Sequence, residues 1–270
     1  YLPNIVFAVA LVLGIGFFAR NVKKLSRNIK LGKDVDVSDN KSQRWKNMAK
    51  IALGQTKMVV RPIAGLMHVI VYVGFIIINI EVLEIILDGL LGTHRLFSSL
   101  GSLYNFLIGS FEVLALLVIV AVVVFWIRRN IIRIQRFIKP EMKGWPKTDG
   151  NMILYIELVL MTLFLTMNAA DFQLQQLGAD HYMQAGTFPV SQFIVPLLDS
   201  LSESSLILVE RTAWWLHILG ILAFLNYLYY SKHLHILLAF PNTYYGKLKP
   251  QGQFNNLESV TNEVKLMMDP

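Results

Sequence analysis

This sequence predicts an all-α integral membrane fold: a five-transmembrane-helix bundle with its N-terminus outside and its C-terminus in the cytoplasm. Three observations predict it. Of the 270 residues, 54% are hydrophobic and 16% charged, and the apolar ones come in long blocks rather than one-sided stripes, as expected where lipid replaces water as solvent. Five of these blocks reach the roughly 20 residues that a helix needs to cross a bilayer. Lys and Arg are concentrated in two connections, residues 21–57 with ten and 128–150 with seven, whereas 89–105 holds Arg95 alone and 170–204 holds none. That asymmetry puts the basic connections on the cytoplasmic side.

The first span covers about residues 3–20 and is followed, not preceded, by its charges, Arg20, Lys23 and Lys24. It is therefore expected to be a retained helix rather than a cleaved leader. After a charged break at Asp34, Asp36 and Asp39, residues Trp45 to Met58 are expected to form either an amphipathic surface helix or a solvated basic loop. The second, third and fourth spans fall at about 62–88, 104–127 and 150–170. The connection that follows contains an apolar piece, Phe188 to Leu198, interrupted by Pro189 and Pro196, which is expected to cover the outer end of the bundle. The fifth span covers about 205–231 and is expected to run on to Phe240. Residues 1–240 thus read as the membrane domain, and 241–270 as a cytoplasmic linker or docking tail.

Histidines mark the chemistry. His217 and His235 are eighteen residues apart, five full turns, so a continuous helix would carry both on one face. His68 lies six residues after Pro62 and His235 six before Pro241, at matched depth on different helices. Imidazoles in apolar spans suggest metal ligands, most simply the axial ligands of b-type haem, with His68 and His235 sharing an iron and His217 serving a second site or none. The competing reading is a histidine that merely hydrogen-bonds between helices. Gly65 and Gly220, each near a histidine, are expected to give a porphyrin room. Arg61, Lys232 and His233 on the inner side, and Arg211 on the outer, are candidate propionate partners. The chain has no cysteine, so it holds no thiolate-bound iron–sulfur cluster and no covalently attached haem. The net charge of +7 lies in connections where topology explains it, and no nucleic-acid partner is expected.

The string from His217-Ile-Leu-Gly through Tyr229-Tyr230-Ser231-Lys232-His233-Leu234-His235 to Phe240-Pro241-Asn242 resembles the last helix of the respiratory nitrate reductase gamma subunit family. It is more similar still to the membrane cytochromes of heterodisulfide-reductase-like complexes. Gly65-Leu66-Met67-His68 continuing to Gly74-Phe75 resembles that family's second helix. The resemblance implies two stacked b haems, the inner one between His68 and His235 and the outer one with His217 as one ligand. The position of the other outer ligand is Ile78 here, so the outer haem is absent, five-coordinate or held by another residue such as His94 or Met167. Residues Asn255 to Lys265 resemble a linker into a cytoplasmic iron–sulfur module. Electron exchange between an iron–sulfur or flavin partner and membrane quinone, in a bacterial inner membrane, is the implied activity.

Acidic residues at membrane depth usually face a cavity or one another. Glu81, Glu84, Glu112 and Asp171 are candidates for handling protons at an outer quinone site, although Glu84 and Asp88 stand near enough the boundary for a merely interfacial role. Two readings compete with the electron carrier: a proton-coupled transporter, against which stands the lack of an inverted repeat, and a non-haem membrane anchor for a soluble enzyme.

Overall fold

The computed structural model describes residues 2–249, 252 and 257–269. They contain helices and turns and no strand. Five helices are long and apolar enough to cross a membrane: α1 (Leu2–Ile29), α3 (Pro62–Leu91), α4 (Ser102–Asn130), α5 (Trp145–Leu177), and α6 (Glu203–Tyr227) with the turn that extends it to Tyr230. Three shorter helices complete the described chain: α2 (Lys41–Met48), α7 (His235–Tyr244) and α8 (Glu258–Met268). The chain folds as two compact units, one of residues Tyr1–Asp34 with Gln55–Ile236, the other of Val35–Gly54 with Leu237–Pro270.

The first unit is the bundle. Helices α3 to α6 each pack against the neighbouring helix in sequence. Proline opens α3 and lies in the first turn of α5, where its missing N–H costs nothing. Gly92 and Gly178 close the same helices at φ 74° and 68°, the left-handed conformation that a helix stop favours. Helix α1 packs on α3 and α6 through Phe7, whose ring lies 5.2 Å from Trp214 and 5.9 Å from Trp215. Asn4 Nδ2 donates to Gly89 O (2.9 Å) and Asn226 Nδ2 to Gly14 O (3.0 Å). These contacts fix α1 antiparallel to α3 and parallel to α6. The core includes Tyr104, Ile108, Phe111, Phe164 and Ile218. Many of the remaining leucines, valines and isoleucines point outward, the arrangement a lipid solvent permits.

The last span does not run straight. Helix α6 ends at Tyr227, two single turns follow, and Ser231 between them is extended (φ −104°, ψ 149°). Helix α7 then starts at His235 itself. The expectation of one continuous helix carrying His217 and His235 on one face is therefore corrected. The cause lies on α5: the Asp149 carboxylate accepts from Tyr227 Oη (2.6 Å) and from the Lys232 backbone N–H (3.1 Å), and Ser231 Oγ accepts from the His233 N–H (3.0 Å). These acceptors take up donors that a helix would have satisfied internally. Asp149→Ala leaves the Lys232 N–H and the Tyr227 hydroxyl without an acceptor. It is expected to cost about 1–3 kcal/mol, read as a lower unfolding temperature in detergent beside an unchanged Asp36→Ala control.

The second unit is held by Arg44, which is buried. Its guanidinium pairs with Asp39 (2.6 Å) and donates to the carbonyls of Tyr244 and Gly246, 3.1 Å each. The Trp45 ring meets Tyr244 edge-on at 5.3 Å. Helix α2 starts at Lys41, earlier than the expected Trp45, and a π turn over Ala49–Leu53 follows it. Of the linker-like string, Asn255 and Asn256 lie outside the described residues, and Glu258 to Lys265 are helical in α8.

Candidate functional site

At the end of the bundle where α3 begins and α6 ends, three histidines gather. The His68 and His235 rings have centroids 6.4 Å apart, with their planes at 46°. His235 is exposed, and its Nδ1–H donates to Lys232 O (3.2 Å), leaving the Nε2 lone pair available. His68 is half-buried, and its Nδ1 is buried with no hydrogen-bond partner. His233 stacks between Phe224 (5.3 Å) and the edge of His235 (5.4 Å). Burial, reinforced by the neighbouring His235, pushes the His233 imidazole down to about 4, so it is neutral at pH 7 and offers no positive charge. Lys232 Nζ donates to Pro146 O (2.6 Å), which ties it to the start of α5. Arg61 is exposed at the N-cap of α3.

His217 lies deeper, 1% exposed, between α6 and α5. Its Nδ1–H donates to Leu160 O (3.0 Å), and its Nε2 is buried without a partner. The side chain lines a cavity of about 90 Å³ shared with Ile78, Asn79, Glu157 and Met161. Neither His94 nor Met167 lines it; both lie on another cavity. The two glycines have structural work of their own. A Cβ on Gly65 would stand 2.6 Å from Met58 O, and one on Gly220 2.8 Å from Leu160 Cδ2. The first lets the incoming turn cross α3 and the second lets α5 and α6 close, so the room expected for a porphyrin is already filled by protein at both positions.

The acidic candidates meet at the opposite end, around a residue that sequence reasoning treated only as a topology marker. Arg95, 6% exposed, sits at φ 52° in the α3–α4 connection. Its guanidinium pairs with Asp171 (Nε to Oδ2, 2.5 Å), donates to Asn168 Oδ1 (3.0 Å) and Tyr104 Oη (3.1 Å), and lies 3.9 Å from Glu81. Burial alone would lower its pKa, but Asp171, Tyr104 and Glu81 raise it well above the ordinary arginine value. Glu84 accepts from Phe97 N–H (2.7 Å) and Tyr104 Oη (3.0 Å). Glu112 accepts from Asn168 Nδ2 (3.1 Å) and from the Val190 and Ser191 N–H groups (2.8 and 3.0 Å). Glu112 thereby anchors the Phe188–Leu198 piece to α4. Arg211 pairs with its neighbour Glu210 and lies over the Trp214 ring at 5.5 Å. Glu81, Glu84, Asp171, His94 and Arg95 line a cavity of about 330 Å³ together with Phe7, Trp214 and Trp215; Glu112 does not reach it.

With both ends described, comparison with known proteins becomes informative. The chain is similar to two bacterial oxidoreductases. It is 24% identical over 261 residues to the probable iron-sulfur-binding oxidoreductase FadF of Bacillus subtilis, covering 97% of this chain and 35% of that protein. It is 23% identical over 224 residues to the EtfAB:quinone oxidoreductase of Syntrophomonas wolfei, covering 80% of this chain and 30% of that protein. The chain thus spans about a third of the length of these curated relatives. No family model and no solved structure matches it.

Among the described residues, no three or more His, Cys, Asp or Glu side chains converge as a metal cluster. A porphyrin-bound iron asks the protein for only one or two ligands, so the pair arrangement at His68 and His235 remains the relevant geometry. Sequence reasoning missed His94 and Arg95 as members of the acidic cavity, and Asp149 as the residue that shapes the His235 turn. The signal for Arg95 was present: it is the lone basic residue between 89 and 105, beside a helix that carries Glu81, Glu84 and Asp88.

Proposed function

We propose that this chain is the membrane module of a quinone-linked oxidoreductase, a b-type cytochrome that passes electrons between a cytoplasmic iron–sulfur or flavin partner and the quinone pool. The observation that carries the reading is the 6.4 Å between the His68 and His235 ring centroids. With metal–imidazole bonds of about 2 Å, two histidine rings this far apart would be able to hold one iron between them.

The hydrogen bonds fit as well. A ligating histidine commonly donates its second ring N–H to a backbone carbonyl, as His235 does to Lys232 O and His217 to Leu160 O. A haem bound there supplies one-electron redox chemistry, which the chain's own side chains lack. Ile78, which lines the same cavity as His217, has no donor atom, so the position that the resemblance gives to the second outer ligand supplies none. Of the propionate candidates, Arg61 is an exposed cation at the N-cap of the helix that carries His68, whereas Lys232 and Arg211 are already engaged.

The relatives' names supply the rest of the reading: one is named a probable iron-sulfur-binding oxidoreductase, the other an EtfAB:quinone oxidoreductase. Residues 241–270 then form the tail leading to that partner. The excess of Lys and Arg in 21–57 and 128–150 puts the His68 end on the cytoplasmic side of a bacterial inner membrane. The test is the reduced-minus-oxidised visible spectrum of the detergent-purified chain. A b-type α-band supports the reading, and haem per chain decides between one site and two. A purified, folded chain without haem, which takes none up when haem is added, rejects it.

A further inference from the structure

Which groups in the cavity at the Arg95 end exchange protons with a quinone? The wall residues sort themselves by their hydrogen bonds. Both Glu84 oxygens are taken, by Phe97 N–H and Tyr104 Oη. Both Asp171 oxygens are taken, by Arg95 on one side and by Gln175 Nε2 (3.4 Å) and His94 Nε2 (3.2 Å) on the other. Glu210 is taken by Arg211 and by Tyr182 Oη (3.0 Å). Two proton-carrying atoms are left over. Glu81 is 3% exposed, its Oε2 is buried with no partner, and its Oε1 stands 3.9 Å from Arg95, beyond hydrogen-bond reach. The His94 ring is held by Asp171 at Nε2 and by the edge of Tyr182 at 5.0 Å, while Nδ1 is buried with no partner.

A buried polar atom without a partner costs about 1–3 kcal/mol, and two on one cavity wall point to a ligand that supplies both partners. The cavity's chemistry defines that ligand. It holds about 330 Å³, at the lower end for a bound small molecule, and its lining combines the rings of Phe7, Trp214 and Trp215 with these polar groups. A flat aromatic ring bearing two oxygens suits such a lining. We propose that this cavity binds the quinone ring, and that His94 and Glu81 are the residues that exchange protons with its two oxygens. The proposal rests on the quinone-linked reading above and sharpens it: Glu84 and Glu112, candidates by sequence, hold the fold instead.

The balance is simple. Two electrons, supplied by the iron–sulfur or flavin partner of the reading above, and two protons turn both C=O groups of a quinone into C–OH. One proton comes from Nδ1 of His94 and one from the Glu81 carboxyl group. Glu81 is left as a carboxylate facing Arg95, and the aqueous side reprotonates both residues. Hydroquinone oxidation runs the same transfers backwards.

Menadione titrated into the detergent-purified chain is expected to quench tryptophan fluorescence, because Trp214 and Trp215 wall the cavity. Glu81→Leu and His94→Phe are each expected to raise the menadione Kd about tenfold, the loss of one hydrogen bond. Glu112→Gln is expected to leave the Kd unchanged. Glu81→Gln keeps a hydrogen-bonding group but carries no transferable proton. It is expected to bind menadione within about threefold of wild type, while the rate at which menadione reoxidises the reduced chain falls about 100-fold. Glu81→Gln also covers the case in which Glu81→Leu fails to fold. If menadione binds wild type but neither Kd nor reoxidation rate responds to Glu81 or His94, the assignment is overturned and the quinone-linked reading stands. If menadione neither quenches nor reoxidises the wild-type chain, that reading falls with it.

Discussion

Replacing His235 by alanine is expected to abolish the b-type signal of the site beside it, and replacing His68 is expected to do the same, whereas His233→Ala leaves it. The three side chains lie in one cluster, so proximity alone does not separate them. Their hydrogen bonds and ring positions do. His235 has one ring nitrogen committed to Lys232 O and faces His68 at 6.4 Å. His233 is stacked on Phe224 and presents its face to the edge of His235 at 85°, in a position to brace that ring. If His68 and His235 held an iron together, removal of either would leave a single imidazole to hold it, and any haem retained would be expected to change its spectrum from low-spin to high-spin. The measurement is the pyridine-calibrated haem content together with the α-band of each purified variant. His235→Ala with a wild-type α-band would show that the iron, if present, is held elsewhere. Loss of the band in His233→Ala alone would exchange the roles of the two residues.

Part of this architecture is legible in the sequence because membrane burial writes itself as runs of apolar residues. The second span, read as 62–88, is a helix over Pro62–Leu91, and the fourth, read as 150–170, lies inside Trp145–Leu177. The helices are longer than the apolar runs because their ends carry polar residues that pack against the connections, as Asp149 and Gln175 do. The break after Tyr230 was not legible. Residues 213–240 contain no glycine or proline near Ser231, and the groups that stop the helix come from Asp149, about eighty residues earlier. The acids could be found by their unusual depth, but not sorted. The donors that satisfy Glu84 and Glu112 are backbone N–H groups of Phe97, Val190 and Ser191, and any residue type carries such a group, so no sequence pattern announces it.

Arg95→Leu is expected to produce the largest loss of stability of any single substitution at the acidic end. Arg95 is the cation closest to Asp171 and Glu81, and its fork reaches Asp171, Asn168 and Tyr104 at once. Leucine fills part of the volume but leaves the buried Asp171 carboxylate without its counter-charge. Removing one partner of a buried pair costs about 3–5 kcal/mol, which for a chain of this size corresponds to a fall on the order of 10 °C in unfolding temperature. Arg95→Lys separates charge from geometry. It keeps the cation but cannot fork to three partners, so it is expected to recover part of the loss. Arg95→Gly relieves the positive φ of 52°, but a relaxed backbone replaces none of the missing hydrogen bonds, so its loss is expected to approach that of leucine. Thermal unfolding of the four proteins in one detergent ranks wild type above lysine and lysine above both leucine and glycine. If leucine unfolds within about 2 °C of wild type, the charge network is not what holds α3, α4 and α5 together at this end. Close packing of Tyr104, Phe111 and Phe164 would then have to carry the contact without it.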